Sequence, residues 1–272
     1  MKIKTSVIKL SIPKELNFLS PYITKNLIRL GNKGDGGYII PKMLVNKIDV
    51  LISFGISYDW SFEVDFKKLN PNLIIHGYDH SISRKVFKKN IRLILLNMVL
   101  LRFSFKKLID SINLLFSYQT FFKGDVFHFE KRIHNYVHHS YDITFDEVIL
   151  KTKSKNIFLK VDIEGSEYRI IDSIVKYADR ISAIAIEFHN ADALRPIFIS
   201  AIKKLQKNFK IIHLHVNNHA GYAKDGLPEC PEITFINRKI KIITYNKRNT
   251  LPLKSLDYVC SPRKIDYQLI FN

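Results

Sequence analysis

Three acidic side chains fall within six positions of Lys160-Val-Asp-Ile-Glu-Gly-Ser-Glu167: Asp162, Glu164 and Glu167. A short apolar run, Ile157–Val161, precedes them, and a helical pattern follows with Ile170, Ile171, Ile174 and Val175 on one face. The segment therefore reads as a buried strand, a tight acidic turn and a helix. In open α/β sheets ligands bind beyond the carboxyl ends of the strands. Carboxylates gathered there lose solvation and repel one another. A ligand, a metal or a proton-accepting role explains them better than packing does.

Other segments offer chemistry of the same kind. Phe54-Gly55 ends an apolar run just before a helical pattern that starts near Ser61, so backbone can approach a ligand at the glycine and helix amides face it. Alone, this is also what a plain strand-to-helix turn looks like. Asp79 ends the next apolar run, 24 residues after Gly55, one βαβ unit away. A carboxylate there can accept hydrogen bonds from a ribose, or simply cap a helix. Asp35, Gly36 and Gly37 form a dense turn upstream that could close over a bound cofactor. Further on, Glu187 and His189 end one run, and His213, His215, Asn217 and His219 lie in and after another. Alternation places Glu187 with His189, and His213 with His215 and Asn217, on one face of each strand. A structural hydrogen bond accounts for any one of these histidines; the set suggests a polar active site. Asp162 and Glu187 are the candidate ligands for a divalent cation, since hard cations take oxygen ligands. His134, His138 and His139 read as surface residues of a loop.

These residues need elements to position them. Apolar runs at 50–54, 73–78, 126–129, 157–161, 183–186, 211–216 and 233–236 predict strands. Helical patterns cover 62–69, 145–150, 168–177 and 193–207. The alternation predicts a mostly parallel sheet covered by helices on both faces. The last two strands are separated only by a loop, which predicts an antiparallel final strand in a sheet of seven. The 272 residues fit one domain, with an N-terminal extension over 1–45 and a basic, apolar helical insertion or lid over 84–122. That insertion reads first as packed helix with snorkelling Lys and Arg, and second as a membrane-docking or donor-gripping element.

The chain holds 43 basic and 25 acidic residues, a formal net charge of +18. Lys dominates the excess beside much Ile, Asn and Phe, as an AT-rich genome writes onto solvated faces. An anionic, phosphate-bearing substrate is the next explanation, and nucleic acid stands well behind. Cys230 and Cys260 lie far apart with no metal spacing, which suggests a reduced, cytoplasmic protein. The first ten residues do not resemble a signal peptide. The most apolar stretch, 93–101, is too short to span a bilayer and contains Asn97.

The ordered set of Gly55, Asp79 and Lys160-Val-Asp-Ile-Glu-Gly-Ser-Glu167 resembles the FkbM-type methyltransferases. Thr144-Phe-Asp-Glu-Val148, Asp35-Gly-Gly-Tyr38 and His213-Leu-His-Val-Asn-Asn218 also resemble segments of that group, and the likeness runs over about 28–260. The chain departs from the pattern in its glycine loop, reduced to Gly55 with Ser57 and Asp59 where further glycines are expected. The resemblance implies a Rossmann-like class I methyltransferase fold, S-adenosylmethionine as cofactor, and O-methylation of a sugar, as in capsule polysaccharide biosynthesis. It implies cofactor contacts from Asp35, Gly36, Gly37, Phe54, Gly55, Asp79 and Asp162. A sugar hydroxyl is a poor nucleophile, so a base must take its proton, or Mg or Mn must acidify it. Asp162, His189, His215 and His219 are the candidate catalytic residues. The expected partner is a sugar or glycan, free or nucleotide-linked, with no nucleic acid and with contact at the inner membrane face allowed. A nucleic-acid methyltransferase is the first alternative, although Asp-Ile-Glu-Gly stands where an Asn-Pro-Pro-Tyr tetrad would. A glycan- or membrane-associated binding protein on a degenerate fold is the second.

Overall fold

A computed structural model describes residues 7–99, 104–241 and 243–271. The first six residues of the N-terminal extension and residues 100–103 of the 84–122 segment lie outside the described residues. The central sheet comprises β1 (Val50–Phe54), β2 (Ile74–Tyr78), β3 (Val126–Phe129), β4 (Ile157–Val161), β5 (Ile181–Glu187), β6 (Phe209–Val216) and β7 (Pro231–Asn237). Their spatial order is β6-β7-β5-β4-β1-β2-β3. The pairs β3–β2, β2–β1, β1–β4 and β4–β5 are parallel, and β7 runs antiparallel between β5 and β6. This is the seven-stranded, Rossmann-like sheet with an antiparallel final strand that the apolar runs predict.

Alternate residues of each strand feed two cores. Val50, Ile52 and Phe54 of β1 join Leu159, Val161, Ile184 and Ile186 on one face. There they meet α4 (Phe145–Leu150), α5 (Glu167–Lys176) and α6 (Arg195–Leu205) through Phe145, Ile170, Ile174 and Ile202. Leu51, Ile75, Phe158 and Ala183 face the other way, onto Phe62 and Phe66 of α1 (Ser61–Leu69). Burial on both faces is why these strands read as continuous apolar runs. Helix α4 opens on a capping box: Thr144 Oγ1 accepts from Glu147 N, and Glu147 accepts from Thr144 N at 2.7 Å.

The remaining helices, α2 (Arg84–Val99) and α3 (Phe105–Phe121), lie between β2 and β3 and pack on each other. Their root is a cluster of Ile56, Trp60, Ile82 and Phe87 with Leu114, Tyr118 and Phe122 against it. Smaller strands complete the structure. Val7–Ile12 pairs in parallel with Asp266–Phe271, and Leu27–Leu30 forms a hairpin with Tyr38–Pro41 whose loop reaches the end of β1. No helix among the described residues is long and apolar enough to cross a membrane.

A candidate active site at the carboxyl edge of the sheet

The chain winds from β1 toward β2 on one side and from β4 toward β5 on the other, so β1 and β4 flank the point where strand order reverses. A cleft of about 600 Å³ opens there, lined among others by Gly36, Gly55, Ser57, Asp79, Lys160 and Asp162. The position suits a ligand site. Gly55 has φ +75°, and an added Cβ would run into the Asp162 carbonyl oxygen. The glycine therefore lets two strand ends close on each other, beyond any role it has toward a ligand.

Asp79 pins the loop after β1. Its Oδ2 accepts from the amides of Ile56 and Ser57 at 2.9 and 2.8 Å, and Oδ1 accepts from Ser81 N and Oγ at 2.7 and 2.6 Å. Burial pushes its pKa up, but these donors outweigh that and hold it below the usual value. A carboxylate offers about four acceptor sites, so the chain's own donors already use them. Of the four donors, Ser81 Oγ alone belongs to a side chain that can rotate away without moving backbone.

The 31–37 loop closes the cleft from the opposite side. Arg29 Nε donates to Asn32 O at 2.8 Å, and its guanidinium also holds Gly34 O. Asn32 donates to Asp59 at 2.6 Å, and Gly36, at φ +77°, leaves no room for a Cβ beside the Asp59 carboxylate. Asp35 stands on the cleft wall with much of the residue open to solvent, while its carboxyl lies among other groups of the wall; the water lost there and, next, Glu232 raise its pKa.

At the floor of the cleft, Lys160 projects from near the end of β4 into a buried position. Its Nζ lies 3.3 Å from Glu63 and donates to Gly55 O at 3.1 Å; Glu63 also accepts from Ser53 Oγ. Burial opposes the ammonium charge, yet Glu63 and Asp162 outweigh it and raise the Lys160 pKa. An ion pair this deep is held by its geometry, because both charges have lost water.

His189 sits behind Asp162 in a cage of four carboxylates. Its Nδ1 donates to Glu167 at 3.0 Å, while Nε2 lies 3.3 Å from Glu164 and 3.9 Å from both Asp162 and Glu187. Glu167 is fully buried at the start of α5 and also accepts from the amides of Ile163 and Gly165, so it fixes the acidic turn and the imidazole together. That turn needs positive φ at Glu164 and Gly165. Burial works against the imidazolium, but Glu167 and the other carboxylates prevail and lift the His189 pKa to about 9. Burial is also the main reason the Asp162 pKa rises to about 6, with Lys160 and His189 restraining the rise. A carboxyl that titrates near neutrality, on the wall of a cleft, is placed to take a proton.

Of the residues singled out from sequence, Asp35, Gly36, Gly55, Asp79 and Asp162 line this cleft, and Gly37, Phe54, Glu187, His189, His215 and His219 do not. Phe54 is fully buried against Tyr78 and Phe145, so its side chain stays in the core and outside the cleft lining. Gly37 packs on Asn32 and Arg29. His215 is buried and donates to Glu232 at 2.7 Å, and His213 pairs with Asp257 at 3.1 Å; both face the Leu27–Leu30 hairpin rather than the cleft. A base role for His215 is thereby corrected to a structural one. His219 is exposed outside the cleft. His189 stands outside the cleft lining, with Nδ1 engaged by Glu167 and Nε2 turned toward Asp162 and Glu164.

The donor set bears on two absent groups. The cleft gathers Asp35, Asp59, Asp79, Asp162 and Glu164 against Lys131, Arg132 and Lys160, of which Arg132 and Lys160 are already paired with Asp142 and Glu63, so it suits a ligand with positive charge and polar hydroxyls. S-Adenosylmethionine, with its sulfonium and ammonium, meets that requirement. For a divalent cation, Asp162, Glu164 and His189 each offer a ligand atom within 4.8 Å of the others. Glu187, expected from sequence to pair with Asp162, instead groups with His189 and Cys230 or with Asp35 and Glu232. A cation shared by Asp162 and His189 would require His189 to give up its Nε2 proton, while Glu167 on Nδ1 would keep the ring oriented.

No protein-family model matches the chain, and no curated protein matches it either. Among solved structures, it is similar to the fibrillarin pre-rRNA processing protein of Methanococcus jannaschii, with 10% identity over 72% of this chain and 69% of that one, at a TM-score of 0.34. A precorrin-6y C5,15-methyltransferase of Geobacter metallireducens gives 11% identity over 72% and 85%, also at 0.34. Overlaps of this extent leave the chemistry of the site to be judged from this chain's own residues.

Proposed function

We propose that this chain is an S-adenosylmethionine-dependent O-methyltransferase acting on a sugar hydroxyl of a surface polysaccharide or its nucleotide-linked precursor. The observation that carries the reading is the convergence of Gly55, Asp79 and Asp162 on one acidic cleft where strand order reverses. The bound cofactor would supply an electrophilic methyl group on a sulfonium. Asp79 would hold its ribose hydroxyls, one of them taking the place of Ser81 Oγ, and Asp35, Asp59 and Glu164 would favour its positive charge. Asp162 takes the proton from the acceptor hydroxyl as attack proceeds. His189 keeps that carboxyl oriented and ionisable at neutral pH, and Lys160 steadies the Gly55 loop from below. Lys131, on the rim, suits a phosphate of a nucleotide-linked acceptor. A Mg- or Mn-assisted variant, with the cation on Asp162, Glu164 and His189, is the second reading; the grouping of those three atoms favours it.

Calorimetry with S-adenosylmethionine and with its demethylated product tests the cofactor assignment, and absence of heat and of thermal shift with both would sink it. Transfer of labelled methyl to sugar nucleotides or capsule extracts, compared with random DNA, tests the acceptor. Label on DNA alone would move the reading to nucleic acid.

A further inference from the structure

Helices α2 and α3 turn a broad apolar surface outward. On α3, Ile109, Ile112 and Phe116 are 55, 47 and 70% exposed, and their spacing of three and four residues makes one stripe. On α2, Leu93, Leu95 and Leu96 are 48, 43 and 62% exposed. No residue of α3 is fully buried; its inner face, with Leu114, Leu115 and Tyr118, packs half-buried on the cluster of Trp60 and Phe87. Lone exposed apolar residues are ordinary, but a contiguous stripe of large ones marks an interaction surface.

The charge around the stripe identifies the occupant. Residues 84–123 contain nine basic side chains and one acidic one, Asp110. Lys85, Lys88, Lys89 and Arg92 are exposed along the first half of α2, and Lys106 and Lys107 along the first turn of α3. We propose that the α2–α3 hairpin docks on an anionic lipid bilayer, its leucines, isoleucines and phenylalanine entering the acyl boundary while the lysines and arginines meet the headgroups. A basic helical surface with a strong apolar stripe has this preference. Two copies of the chain meeting through this face would set like charges against each other. Nucleic acid would answer the charge but not the apolar stripe. Neither helix is long and apolar enough to cross the bilayer, so the hairpin lies on it. Its root adjoins the cleft: α2 begins three residues after Ser81, and Phe87 packs on Tyr58, which lines the cleft. Docking would therefore hold the cleft near the membrane plane. This inference does not depend on the methyl-transfer reading.

Flotation of the full chain with phosphatidylglycerol vesicles, against phosphatidylcholine vesicles, is the test. Binding is expected to the anionic vesicles, to weaken with salt, and to fall roughly tenfold or more in Ile112→Glu/Phe116→Glu. Leu93→Gln/Leu96→Gln on the other helix should reproduce the loss, which guards against misfolding of the first variant. Circular dichroism and cofactor calorimetry should stay as in the parent chain. No flotation with anionic vesicles, or flotation that both variants retain, would overturn the proposal. So would a dimer in solution that these substitutions dissociate while vesicles bind nothing, which would give the face to a second copy.

Discussion

Gly55 and Asp162 meet backbone to backbone: the space where a Gly55 side chain would begin is filled by the Asp162 carbonyl oxygen, and Asp162 N donates to Phe54 O at 3.0 Å. The loop after β1 and the acidic turn after β4 are therefore one assembly. Gly55→Ala must open it and must also hold alanine at positive φ. The expected cost is about 1–3 kcal/mol of stability with cofactor heat lost at ambient temperature. A thermal melt unchanged from the parent would refute this account of the glycine.

Asp79 is expected to act on both structure and binding. Asp79→Ala leaves the Ile56 and Ser57 amides without their partner, so it should lower the melting temperature and weaken cofactor affinity by more than roughly tenfold. Ser81→Ala releases one acceptor site on Asp79 and should tighten cofactor binding, by up to about threefold. If Ser81→Ala instead weakens binding as much as Asp79→Ala, the serine itself is the ribose contact.

Methyl transfer should rise with pH through about 6 as Asp162 loses its proton. Asp162→Asn should remove turnover while cofactor affinity stays within a few-fold. His189→Gln takes away a neighbouring cation, so the same limb should move to higher pH. A pH–rate profile that is flat between about 5 and 8, or unmoved by His189→Gln, counts against Asp162 as base.

His189 also links pH to folding. Its pKa rises from 6.5 to about 9 in the folded chain. The stability it contributes is therefore full below 6.5 and disappears as pH climbs through about 9. Chemical denaturation across that window should show the decline in the parent chain and a flatter response in His189→Gln.

The Lys160–Glu63 pair should behave as a buried charge couple. Lys160→Met strands Glu63 in the core and should cost about 3–5 kcal/mol. Lys160→Met/Glu63→Leu should recover a large part of that loss, because no charge is then left unmatched. Equal destabilisation in the single and double variants would mean that packing, not charge, is what Lys160 supplies.

The sheet was legible because its signals are local. Val50–Phe54, Val126–Phe129 and Ile157–Val161 are apolar runs bounded by turn or charged residues, and their limits match the observed strands. Ile74–Tyr78 begins one residue later than its apolar run, and the remaining strands extend by one or two residues past theirs, as in Phe209–Val216, where Lys210 lies at the half-buried edge. The pairing of Val7–Ile12 with Asp266–Phe271 spans the whole chain, and no pattern in either segment names its partner. At the site, the strand-end positions of Gly55, Asp79 and Asp162 follow from one βαβ spacing and one acidic turn. The Glu63–Lys160 pair leaves only one trace in the sequence, a lysine inside the apolar run Ile-Phe-Leu-Lys-Val, and nothing local names Glu63 as its partner. The assignment of roles among the histidines depends on which carboxylate reaches each ring. Glu167 claims His189 and Glu232 claims His215, and both contacts are made across separate elements.

Trp60 is the single tryptophan of the chain, and it sits 5.7–6.4 Å from the rings of Phe87, Tyr118 and Phe122, next in sequence to Asp59 of the cleft wall. Its indole emission therefore comes from one known joint. Without any label, the colour and intensity of that light would register a ligand arriving on one side of the joint and movement of the helical hairpin on the other.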